Sequence, residues 1–197
     1  IATKAKVNDA VTANVQVEAL GVNGVQTSGL ESTHATTDAT GDRDVNLVVS
    51  KANFAVNVAG ATVIAGKQSV PSPFVDNSVD DLTRGTGAVA LVPVGPVTLA
   101  AGYFNNFQNI SDLGVTNGYG NNISAVAVIG AVSGVSFDAW YVDVDHSAQA
   151  TSIGAKTSIA NVNLDARYSV KNPDAADKKD SKLTKLVAST KVGPVSV

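Results

Sequence analysis

Apolar and polar residues alternate one by one along most of the chain. Between 11 and 20, Val11, Ala13, Val15, Val17 and Ala19 fall on one face, and Thr12, Asn14, Gln16 and Glu18 on the other. Between 162 and 170, Val162, Leu164, Ala166, Tyr168 and Val170 oppose Asn163, Asp165, Arg167 and Ser169. A repeat of two sends successive side chains to opposite faces of a β-strand. The stretch 135–143 alternates less cleanly, because Trp140 and Val142 sit among Ser136 and Asp138. The same signal predicts strands over 3–8, 45–50, 54–65, 86–92, 97–104, 122–132, 151–160 and 183–192. No segment carries a convincing amphipathic helix.

Two long uncharged stretches, 86–104 and 113–137, resemble membrane-spanning helices only in their lack of charge. Pro93, Gly95 and Pro96 interrupt the first, and Asn117, Asn121, Asn122 and several glycines interrupt the second. Proline inside a helix removes a hydrogen bond and costs about 3 kcal/mol. Each stretch therefore reads as two strands joined by a tight turn. The connections also alternate. Very short ones are predicted at 51–53, 95–96, 133–134, 160–161 and 193–194. Long polar ones are predicted at 21–44, 67–85, 105–121 and 171–182, with 146–150 a short exception. Tight turns on one rim and long loops on the other characterise up-and-down outer-membrane barrels.

The expected fold is thus all-β: an antiparallel up-and-down meander of about 10–12 strands, a porin-like β-barrel or part of one, in a single domain over 1–197. Val94-Gly-Pro-Val97 and Val192-Gly-Pro-Val195 repeat the same turn, so a further strand is expected to begin at 195. Only Ser196 and Val197 follow, and a closed sheet leaves no unpaired edge. The expectation is an incomplete barrel.

Composition narrows the function classes. The chain is 44% hydrophobic and only 16% charged, which argues against disorder. A net charge of −3 lacks the basic excess of a nucleic-acid binder. The absence of cysteine removes disulfides, thiol nucleophiles and thiolate metal sites. Ile-Ala-Thr-Lys-Ala-Lys at the start has no apolar segment behind its lysines and does not read as a signal peptide. Aromatics make up 5%, few for a lipid-facing barrel with interfacial girdles. That scarcity keeps a second reading open: a structural subunit of an extracellular filament or surface layer, built from a barrel-like fold with strand exchange between subunits.

The segments Ala61-Thr-Val-Ile-Ala-Gly-Lys67-Gln68, Asp76-Asn-Ser-Val-Asp80-Asp81-Leu-Thr-Arg-Gly-Thr-Gly87 and Leu99-Ala-Ala101 occur in that order. Together they resemble the major outer membrane porin family of Campylobacter and its relatives. The strand 125–132 followed by Phe137-Asp-Ala-Trp-Tyr141 resembles a later hairpin of that family, and 4–53 its early strands. The resemblance implies a trimeric, outer-membrane β-barrel contacting lipid, longer than this chain, that passes small hydrophilic solutes.

A porin needs no nucleophile, and the chain is not expected to be an enzyme. It needs a polar lumen and a constriction whose charges bias passage. The connection 67–85 is the candidate constriction loop, with Asp76, Asp80, Asp81 and Arg84 close together. Carboxylates facing an arginine would set a transverse field favouring cations. The same carboxylates are oxygen donors suited to Ca²⁺, with Asp80 and Asp112 as candidate ligands. Solvated surface aspartates are the plainer alternative. Glu18, Asp165, Arg167 and Arg84 are expected to point into the lumen, with Arg167 near Asp165 as a pair; an exposed pair would contribute about 0–1 kcal/mol. Asp143-Val-Asp145-His146-Ser147 sets Asp, His and Ser side by side, but catalytic triads assemble from residues distant in sequence, so a loop tip is the better reading. Gly85-Thr-Gly87 and Gly118-Tyr-Gly120 lead into no helix and are not phosphate loops.

Overall fold

The computed structural model describes residues 1–20, 46–69, 72–74, 84–107, 122–192 and 195–196. The strands are β1 (Ala2–Lys6), β2 (Val11–Leu20), β3 (Asn46–Val58), β4 (Ala61–Gln68), β5 (Gly85–Val94), β6 (Val97–Phe107), β7 (Ile123–Val132), β8 (Val135–Val144), β9 (Ala148–Ile159), β10 (Val162–Pro173), β11 (Ser181–Val192) and β12 (Val195–Ser196). They form one 12-stranded sheet in strict sequence order, with every neighbouring pair antiparallel. Among the described residues β1 and β12 are its open edges. The all-β meander expected from the alternation is the observed fold.

One predicted turn is misplaced. The chain runs straight through 51–53, and the reversal comes at Ala59-Gly60. Lys51 and Asn53 are polar because they lie on the sheet's polar face, not because the strand ends there; they pair with Gln16 and Asn14 of β2. The true turn places Ala59 at φ 48° and Gly60 at φ 83°. Ser133-Gly134 and Ala160-Asn161 repeat this pair of positive φ angles. Two left-handed residues give a two-residue loop whose twist matches that of the flanking strands. The turns at 95–96, 133–134 and 160–161 lie where the sequence places them. The connection predicted over 171–182 is shorter, because β10 continues to Pro173 and β11 begins at Ser181. The turn at 193–194 lies outside the described residues, and β12 does begin at Val195.

Two irregularities bend the sheet. Register shifts between Gln16 and Val17 of β2, leaving Ser50 of β3 as the extra residue. It shifts again between Thr86 and Gly87 of β5, opposite β6. Beside the second bulge, Gly66 and Gly87 face each other across β4 and β5, and Gly66 has φ 125°. A side chain on Gly87 would lie 2.7 Å from both Phe104 Cα and Phe104 Cδ1 and would strike the Tyr103 carbonyl. The Phe104 ring thus covers bare backbone at the bend, an aromatic filling the space that paired glycines leave open. Gly87→Ala is expected to destabilise the folded chain by about 1–3 kcal/mol, the cost of overpacking a site that cannot relax. Thermal unfolding in detergent micelles measures it.

Candidate pore lining

The register divides every strand into two faces. One, here the outer face, carries most of the exposed large apolar side chains, including Val15, Phe54, Leu99, Val126, Ile153 and Leu186. Among the described residues, its charges on β2 to β11 are confined to Lys67, Asp143 and Lys182. Each of these lies one residue from the end of its strand, on the rim of the connections that follow even-numbered strands. Between that rim and the tight-turn rim the outer face is an uncharged apolar belt. The few aromatics are placed with order. Tyr103, Tyr141 and Tyr168 lie in the half nearer the long connections, and Phe54 and Phe137 nearer the tight turns.

The opposite, inner face is polar at its two ends. On β1 to β4 it presents Lys4, Lys6, Thr12, Asn14, Gln16, Glu18, Lys51, Asn53 and Gln68. On β8 to β11 it presents Asp138, Ser152, Lys156, Asp165, Arg167, Ser169, Lys171 and Lys185. The middle is apolar. Val89, Phe104, Ile123, Val142, Val144 and Ala150 form a buried apolar cluster there. Beside it a cavity of about 260 Å³ is lined mainly by Ile64, Val89, Leu91, Phe104, Ile129 and Trp140. A wholly polar inner face, implied by simple alternation, is therefore corrected: on β5, β6 and β7 apolar and small residues occupy both faces. Phe74, in the described part of the connection between β4 and β5, packs against this cluster. Pro73 and Phe74 also line a cavity with Ala150, Ser169 and Leu183, so the described residues 72–74 lie over the inner face.

Three ionic groupings stand on that face. Arg84, just before β5, is 3% exposed and donates from Nη2 to Glu18 Oε2 at 2.6 Å. Gln16 Nε2 donates to Glu18 Oε1 at 2.6 Å, so both carboxylate oxygens are engaged. Arg84 Nε has no partner among the described residues. Arg167 grips Asp138 with two parallel bonds, Nη1 to Oδ2 at 2.8 Å and Nη2 to Oδ1 at 2.7 Å. It also donates to Ser152 Oγ at 2.8 Å. This fork lies over Gly154, where any side chain would collide with the guanidinium. Asp165 meets Lys185 at 3.3 Å and Lys156 at 3.6 Å.

Three outer-membrane structures of Pseudomonas aeruginosa superpose on the chain. OccK5 (OpdH) does so with TM-score 0.68 and 11% identity, over 98% of this chain and 54% of that one. OpdQ does so with TM-score 0.66 and 11% identity, over 98% and 55%. The outer membrane protein OpdK does so with TM-score 0.63 and 12% identity, over 93% and 57%. This is part of a porin-like barrel fold. The chain spans about half the length of these porin-like barrels. No protein-family model and no curated protein matches the sequence.

Within this porin-like sheet the predicted site residues separate. Glu18, Asp165 and Arg167 share the inner face, as their alternation indicates. The expected Arg167–Asp165 ion pair is corrected, because Arg167 bonds Asp138, two strands away on β8, while Asp165 takes the two lysines. Residues 165 and 167 stand two apart on one strand, and the neighbouring strands bring closer partners. Asp138 was the residue missed; its polar position in the imperfect alternation of 135–143 was the available signal. Arg84 and Glu18, singled out separately, bond each other. Asp76, Asp80, Asp81 and Asp112 lie outside the described residues, so neither the acidic part of the constriction nor the Ca²⁺ ligands has described geometry. Among the described residues no three metal-ligating side chains converge. Asp145 and His146 form an exposed turn in which the His146 Nδ1 lies 2.9 Å from Asp145 Oδ1.

Proposed function

We propose that this chain forms part of the wall of a bacterial outer membrane porin that passes small hydrophilic solutes. The observation that carries the reading is the uncharged apolar belt of the outer face. A water-soluble sheet alternates its buried and solvated faces the other way, and an outer-membrane barrel presents such a band to lipid. Charged side chains on the inner face fit a water-filled passage, where pairs such as Arg167–Asp138 are stabilised without facing lipid.

The finer reading places the constriction on the connection 67–85, with Asp76, Asp80 and Asp81 acting with Arg84. Its support is that Phe74 packs on the inner face and that Arg84 is anchored there to Glu18. The motif halves that resemble the Campylobacter porin family support it as well. Gly66-Lys67-Gln68 pairs with Gly85-Thr86-Gly87, which braces the root of this connection. Trimeric assembly is proposed from that resemblance alone, and Ca²⁺ binding at Asp80 and Asp112 from their carboxylate chemistry alone. The protein, folded in detergent and added to planar bilayers, should give stepwise conductance and heat-modifiable migration. Lipid-independent fibres with no conductance would overturn the reading.

A further inference from the structure

The inner face of β6 and β7 carries a floor of small residues between two taller walls. Ala100 and Gly102 of β6 stand opposite Ala127 and Ala125 of β7. On one side rise Leu91 and Val89 of β5, opposite Ala100 and Gly102, with Ile64 of β4 beyond Val89. On the other side Trp140 of β8 stands opposite Ala127. Ile129 closes the end nearer the tight turns and Phe104 the end nearer the long connections. These residues enclose the cavity of about 260 Å³. A methyl group at position 102 would lie 3.2 Å from Phe104 Cε2 and 3.3 Å from Val89 Cγ2, so glycine keeps the floor low. Phe74 packs on the neighbouring cluster and does not line this cavity, so the described part of its connection leaves the space open.

Among the described residues the lining holds two polar side chains, Gln68 and Ser69, and no charged one. Gln68, at the end of β4, is 5% exposed. Its Nε2 donates to the Ile64 carbonyl at 3.1 Å, which fixes the amide. Its Oε1 accepts no hydrogen bond among the described residues. An amide oxygen is a good acceptor, and one almost buried without a donor is costly to maintain. A ligand that brings a donor recovers that cost.

We infer that this cavity is a binding subsite for small uncharged aromatic solutes carrying one O–H or N–H donor, the class of phenols and indoles. The inference rests on the porin reading, which brings solutes to the inner face, and extends it to rings that leave water at the channel wall. An apolar cavity of about 150 Å³ stays dry and takes up benzene. The present one is larger and holds one ring or two fused ones. Trp140 and Phe104 offer aromatic surfaces for stacked or edge-to-face contact. A charged solute would lose its hydration here with no opposite charge in the lining to replace it.

Trp140 is the sole tryptophan of the chain, so its fluorescence reports on this cavity. The test uses the full chain folded into lipid nanodiscs, with 3-nitrophenol as a quenching probe in mildly acidic buffer, where it is uncharged. Quenching is expected to saturate at millimolar probe or below. Ala127→Leu and, separately, Ala100→Leu raise the floor and should each weaken the apparent affinity about tenfold or more, because ring and new side chain compete for one space. Gln68→Leu should weaken it about fivefold, the scale of one hydrogen bond, and leave the binding of nitrobenzene, which has no donor, unchanged. Heat-modifiable migration shows which variants have folded, and the wild-type and Gln68→Leu curves decide the matter if the filled variants have not. Linear quenching of the wild type, undiminished binding in a folded filled variant, or a Gln68→Leu curve equal to wild type overturns the subsite. Linear quenching in a protein that conducts in planar bilayers leaves the porin reading standing. Saturable quenching in one that never conducts overturns the porin reading and leaves the cavity a ligand site.

Discussion

Ile153→Arg is expected to block stable insertion while leaving the sheet able to form in detergent. Ile153 sits in the middle of β9 on the outer face and is 64% exposed. In a water-soluble protein a charge at so exposed a position would change stability little. On the lipid face of a barrel an arginine at the bilayer midplane costs about 2–4 kcal/mol. Asn163→Arg, an exposed position on the inner face of β10, is the control and should be tolerated. Folding yield into lipid vesicles, read by heat-modifiable migration, separates the two. Equal yields for both variants would remove the membrane assignment of the belt.

Glu18→Ala is expected to cost about 3–5 kcal/mol, the loss that follows when one partner of a buried ion pair is removed. Arg84 would then keep its charge with almost no access to water, and its Nε already lacks a partner among the described residues. The pair itself need not be strongly stabilising, since desolvation offsets much of its attraction. Glu18→Leu combined with Arg84→Met should therefore recover most of the loss. Urea unfolding of both variants in micelles tests this, and a single change costing under about 1 kcal/mol would show that the pair is solvated in the folded protein.

Most of the architecture was legible because one physical rule, the two-residue period, holds on nearly every strand. The stretches 11–20 and 162–170 display it cleanly, and both lie in strands where the alternation puts them. The rule failed where polarity had a second cause. Lys51 and Asn53 read as a loop, yet they belong to the inner face of an unbroken β3. The turn at Ala59-Gly60 was hidden because alanine in a left-handed conformation carries no composition signal. For the candidate site, the side on which Glu18, Asp165 and Arg167 lie followed from parity, but their partners did not. Arg167 reaches Asp138 across β9 because Gly154 leaves room for the guanidinium, a fact of packing between strands and not of spacing along one. The bend made by Gly66, Gly87 and Phe104 was likewise present in the motif without its purpose being readable.

The unequal rims make the wall a vectorial object. Reversals at Ala59-Gly60, Gly95-Pro96, Ser133-Gly134 and Ala160-Asn161 are as short as a hairpin allows, so an insertion there would break strand register. At the other rim, connections enter the sheet after β2, β4 and β6 through stretches many residues long. In outer-membrane barrels the long side faces the cell's surroundings and the short side the periplasm. Changes of length are therefore tolerated at the rim of the long connections and not at the rim that must hold the strands in register.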